Sequence, residues 1–209
     1  MTDFTKNRSS GGETIGALLA KNASLHGKDI ARREKERGIW KETTWAEYAE
    51  EVLACAAGLE KIGVTPGKAV LILGDNRARL YGGMLAISLL GAYAMPAYPG
   101  ATLEELRHFL GEVEIFAAIA EDQEQVDKIL ELKDAGAEGI DHIIYDEARG
   151  LGFYEVEGLL SWDHLIEVGQ HDLNETPGLR EELLSRAKPE DPAIFLPFTL
   201  FQIKPSQTC

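Results

Sequence analysis

Between residues 68 and 145, apolar runs of strand length alternate with stretches of helical periodicity, and this alternation limits the possible folds more than any other feature. The strand-like runs are Lys68 to Leu73, Ala92 to Ala97, Ile115 to Ala120 and Ile140 to Tyr145. Between them lie predicted helices from Arg77 to Leu90, from Thr102 to Leu110 and from Asp122 to Asp134. Connections this short, each carrying a helix, force parallel strands joined by right-handed crossovers. The fold class is therefore α/β, a layered parallel-type sheet with flanking helices. Such sheets bind ligands beyond the carboxyl ends of their strands.

The flanks are legible in the same terms. Ile15, Leu18, Leu19 and Leu25 fall at helical spacing within Thr14 to His26, and Gly27 ends that run. Asp29 to Lys35 and Gly38 to Thr43 read as two strands about a turn at Arg37-Gly38. From Trp45 to Ile62 one helical face carries Trp45, Tyr48, Val52, Cys55, Ala56, Leu59 and Ile62. Thr44 and Glu47 stand at capping-box spacing before it, as do Thr102 and Glu105 further on. Gly63 suits a left-handed C-cap, and Pro66 blocks continuation. Residues 148–160 read as irregular. Ser161 to Val168 and Leu179 to Ala187 read as helices separated by Pro177-Gly178, and Ala193 to Leu196 as a last strand.

The 209 residues suffice for one sizeable core, or for a large and a small lobe. Net charge is −14, and residues 101–147 hold fourteen Asp or Glu against three Lys or Arg. Such a surface repels nucleic acid, so no nucleic-acid partner is expected. Cys55 and Cys209 make neither a disulfide framework nor a metal cluster, which fits a reducing cytoplasm. Met1 to Gly12 lacks the apolar stretch of a signal peptide. Leu80 to Leu103 contains no charged residue, yet Pro96 and Gly91 interrupt it, so it reads as a buried helix and strand and not as a membrane span.

Gly58 and Gly63 have the separation of the Walker glycines, but Val64-Thr65 follows, and both fit helix packing and capping better than a nucleotide loop. The five histidines, His26, His108, His142, His164 and His171, show no metal-ligand spacing. Gly74-Asp75-Asn76-Arg77, just past a buried strand, could meet a ligand, but Asp75 or Asn76 as an N-cap explains it without one and is the favoured reading.

Five runs carry a family resemblance: Trp40-Lys41-Glu42-Thr43-Thr44-Trp45-Ala46-Glu47-Tyr48; Gly63-Val64-Thr65-Pro66-Gly67-Lys68-Ala69-Val70 with Gly74-Asp75-Asn76-Arg77 behind it; Gly91-Ala92-Tyr93-Ala94-Met95-Pro96-Ala97-Tyr98; Glu121-Asp122-Gln123-Glu124-Gln125-Val126-Asp127-Lys128; and Lys188 to Leu196. In this order they resemble the front of long-chain fatty acid–CoA ligases, which are adenylate-forming (AMP-binding) acyl-CoA synthetases. The resemblance covers residues 14 to 196.

It implies the first lobe of the large domain of adenylate-forming enzymes. The full-length family joins a fatty acid to ATP with magnesium, releasing pyrophosphate, and CoA then displaces AMP. That chemistry needs a Thr-Ser-Gly-Thr-Thr-Gly-x-Pro-Lys loop on the phosphates, acids on the ribose and a lysine from a C-terminal domain. None has a matching position in residues 1–209, so no catalytic, cofactor-binding or metal residue is carried over, and no cofactor is expected on this chain. After Leu196, where the phosphate loop would follow, Pro197 to Cys209 contains no Gly and no family motif. A shift of reading frame near codon 197 would produce this change. The expected organisation is a disordered start (1–13), a truncated synthetase lobe (14–196) and an unstructured tail (197–209). The expected location is cytoplasmic, peripheral at a membrane in the full-length family. Two functional expectations follow. One is a ligase fragment, inactive alone. The other is a non-catalytic α/β module that docks on a synthetase or another partner, or on itself, through an exposed C-terminal edge.

Overall fold

The computed structural model describes residues 13–36, 38–137 and 139–196. The expected disordered start, apart from Glu13, the tail and Arg37 of the first turn lie outside them. Helix α1 (Ile15–His26) precedes an antiparallel hairpin of β1 (Ile30–Glu36) and β2 (Ile39–Thr44). Helix α2 (Trp45–Lys61) leads into the alternating unit β3 (Ala69–Leu73), α3 (Ala78–Leu89), β4 (Tyr93–Ala97), α4 (Leu103–Glu112), β5 (Ile115–Ala120), α5 (Gln123–Asp134) and β6 (His142–Tyr145). A short β7 (Leu159–Ser161), α6 (Trp162–Glu175) and α7 (Leu179–Arg186) follow.

The sheet is parallel throughout, in the order β4-β3-β5-β6-β7. Alternation along β3 divides its side chains between two cores. Val70 and Ile72 pack with α2, α3 and α6, whereas Ala69, Leu71 and Leu73 pack with Leu106 of α4 and Val126, Ile129 and Leu132 of α5. Helices α3 and α4 thus cover opposite faces, as right-handed crossovers running opposite ways across the sheet, β3 to β4 and β4 to β5, require. The uncharged segment is α3 followed by β4, and no described helix is long and apolar enough to cross a membrane.

Both capping boxes form: Thr44 and Glu47, and Thr102 and Glu105, satisfy each other's backbone N–H. At the end of α2, Gly63 takes φ +99°, and Val64 N–H reaches the Leu59 carbonyl. Gly58 is a packing residue. A Cβ there would run into the Leu165 carbonyl, and one at Gly169 into that of Ala54, so α2 and α6 meet backbone to backbone.

Three expectations need correction. β7 takes the end of the stretch read as irregular together with Ser161, read as the start of a helix and found to be its N-cap: Gly158, at φ +80°, turns the chain and Leu159 then pairs with Ile143. Helix α6 runs on to Glu175, because Leu173 is buried against the α2 side. The expected strand Ala193 to Leu196 is reduced to one parallel bridge, Ala94 to Ile194, in which Ala94 N–H meets the Ala193 carbonyl at 3.0 Å and Phe195 N–H meets the Ala94 carbonyl at 2.8 Å. The next rung would need an N–H from Pro96 and another from residue 197, also proline, and neither has one.

Candidate functional site

β3 is flanked by β4, the strand after it, and by β5, so the strand order reverses between β3 and β5. Crevices at such reversals, outside the carboxyl ends, are where open α/β sheets bind ligands. The residues that leave these two strands are Gly74-Asp75-Asn76-Arg77 after Leu73, and Glu121 after Ala120.

Glu121 is buried and ties the two ends together. One carboxylate oxygen accepts from Asp75 N–H at 2.5 Å and the other from Arg77 Nε at 2.6 Å. Gly74 makes this approach feasible, since a Cβ there would stand 2.6 Å from that of Glu121. The Glu121 hydrogen bond and charge hold the Arg77 guanidinium even more firmly protonated than usual.

The expected N-cap at Asp75 or Asn76 is not the one formed. Asp75 folds its carboxylate back onto Asn76 N–H at 2.9 Å, and Arg77 takes the cap position without a side-chain hydrogen bond to the helix. The first helical residue, Ala78, is gripped instead by the hairpin. Glu34 accepts from its N–H at 3.5 Å, and Arg32 donates to its carbonyl at 3.1 Å. Arg32 also pairs with Glu51 at 2.6 Å and lies 5.0 Å over the Tyr48 ring.

Hairpin, α3 and the strand ends enclose a cleft of about 610 Å³. Its ionic groups are largely cross-linked. Arg79 bridges Asp146 at 3.1 Å and Asp163 at 2.8 Å, and Trp162 forms part of the wall. Burial pushes the carboxyls of Asp146 and Glu51 above the ordinary range, against the pull of Arg79 and Arg32 respectively.

Of the features singled out in the sequence, the turn at residues 74–77 and Glu121 come together here. The histidines do not, since none lines the cleft. His26 lies 3.1 Å from Asp29, His164 3.9 Å from Glu167, and His142 packs against the Phe116 ring. Asp122 caps α5 through Gln125 N–H. Among the described residues no three His, Cys, Asp or Glu side chains gather at one point for a metal. The hairpin residues Arg32 and Glu34 were not singled out by the sequence. Their only sequence signal is an unbroken run of charged residues, 32 to 36, in a short strand.

A model of the AMP-binding enzyme family matches residues 19–199, and the chain belongs to that family. It is 32% identical over 95 residues to the long-chain-fatty-acid–CoA ligase FadD15 of Mycobacterium tuberculosis, covering 46% of this chain and 16% of that protein. Over 121 residues it is 26% identical to the long-chain-fatty-acid–CoA ligase ACSBG2 of Xenopus laevis, covering 58% of this chain and 16% of the relative. The chain thus spans about a sixth of the length of these relatives. Solved structures share the fold. Acetoacetyl-CoA synthetase from Streptomyces lividans superposes with a TM-score of 0.64 at 21% identity, over 73% of this chain and 25% of that one. Coronafacic acid ligase from Pectobacterium brasiliense gives 0.63 at 15% identity, over 74% and 29%.

Proposed function

We propose that residues 14–196 are the first lobe of a long-chain fatty acid–CoA ligase, an enzyme that activates a fatty acid with ATP as the acyl-adenylate and transfers the acyl group to CoA. The observation that carries this reading is the match of residues 19–199 to the AMP-binding enzyme family. Relatives bearing the ligase name support the substrate class. A location in the cytoplasm, peripheral at a membrane for the full-length enzyme, belongs to the same reading.

A chimera tests it. Residues 14–196 replace the matching segment of a complete long-chain ligase. Fatty-acid-dependent exchange of pyrophosphate into ATP is expected to survive, and its loss in a folded chimera would overturn the assignment. Residues 1–209 alone are expected to show no such exchange, because the phosphate loop, ribose acids and catalytic lysine have no matching positions there. Clear exchange by purified 1–209, free of host synthetase, would overturn that second claim.

One observation favours a second reading, a docking module. Ile194, Phe195 and Leu196 are 48%, 36% and 62% exposed beside β4, at the edge of the sheet. Stable complexes formed through these residues, by a chain that carries no exchange activity, would support it.

A further inference from the structure

Arg77 is the cleft arginine with most of its donors unused. Its Nε edge is given to Glu121, and Nη1 and Nη2 make no hydrogen bond among the described residues. The other two cleft arginines are occupied on several sides: Arg32 by Thr43, Ala78 and Glu51, and Arg79 by Asp146 and Asp163. The Arg77 side chain is 54% exposed, whereas that of Glu121 is 10% exposed. The shielded carboxylate cannot swing outward with the arginine, because Asp75 N–H holds its second oxygen. The clamp therefore anchors the guanidinium at Nε and leaves its Nη groups open at the reversal of strand order. A planar fork anchored at Nε has less freedom to lose when its two Nη groups receive two oxygens, which reduces the ordering cost of binding.

We propose that the two Nη groups of Arg77 form a binding site for an oxyanion, the carboxylate or phosphate group of a small ligand entering the cleft. The inference rests on the ligase reading for its choice of ligand class, since fatty acid, ATP and CoA all carry such groups, but its test requires no catalysis. Glu34 and Glu147 line the same cleft. Their charge weakens anion binding, and this supplies a second, opposite handle on the site.

Sodium pyrophosphate and hexanoate are titrated separately into the ¹⁵N-labelled 1–209 chain at constant ionic strength. The resonances read are Arg77 Nε–H and the amides of Asn76 to Leu80. Saturable shifts are expected with at least one probe, and the probe that acts distinguishes phosphate from carboxylate. Arg77→Gln should weaken binding by about tenfold or more, the loss of charge-assisted hydrogen bonds. Glu147→Gln should strengthen it. If Arg77→Gln does not fold, the shift of Arg77 Nε–H in the native chain and the effect of Glu147→Gln decide. Linear, unsaturable shifts with both probes, or unchanged affinity in folded Arg77→Gln, would overturn the site. Either result leaves the chimera experiment untouched, and a failed chimera says nothing about Arg77.

Discussion

At Asp146, burial outweighs an ion pair. Arg79 lies 3.1 Å away, yet the folded carboxyl titrates above its ordinary 3.8. The native state then holds this proton more tightly than the unfolded chain. The stability it contributes is complete below the unfolded value and is lost as pH rises through the folded one. In Asp146→Asn that loss is absent. Urea midpoints measured from about pH 3.5 to 7 should show native stability falling relative to the variant as pH rises. A constant difference across the range would refute the assignment. At this scale the sequence was informative only where partners are near in the chain. Thr44 and Glu47 were readable as a cap because they are three residues apart. Glu34 at Ala78 was not, because that bond spans 44 residues and depends on where the hairpin lands.

The edge beside β4 shows how one imino acid limits an element. Ala94 N–H points toward residues 193–195, so position 96 on the same side should supply the next donor, and proline cannot. Pro96→Val restores an N–H in reach of the Phe195 carbonyl. Hydrogen exchange at Phe195 is expected to slow in the variant, with a protected amide at position 96. Exchange at Phe195 as fast as in the native chain would show that something other than the missing donor stops the ladder. Strands β3 to β6 were legible because each pairs an apolar run with a clear turn. β7 was not, since Leu159-Leu160-Ser161 is too short to show a period, and its partner Ile143 lies beyond a loop.

For the molecule as a whole, among the described residues, helices cover both faces of the sheet and the β4 edge carries a single bridge, to Ile194. The Tyr93 and Phe195 rings lie 6.3 Å apart there, with Ile194 and Leu196 exposed beside them. Apolar surface at a sheet edge favours association. Sedimentation velocity of 1–209 should therefore show concentration-dependent oligomers that Ile194→Lys with Phe195→Lys reduces. Equal sedimentation of both proteins would rule this edge out. The cleft was legible only as a place, from the βα alternation. Its residents came from elements brought together by packing. The central position of β3 also has a kinetic side. Its second neighbour, β5, becomes available only after α3, β4 and α4 have been made, and the clamp from Asp75 to Glu121 closes a span of 46 residues. Closing so large a loop costs entropy before any pairing rewards it, so the transition state for folding should already hold β3 against β5. On a ribosome, β3 would wait unpaired on that side until Glu121 emerged, a window in which a chaperone or a neighbouring nascent chain could reach it first.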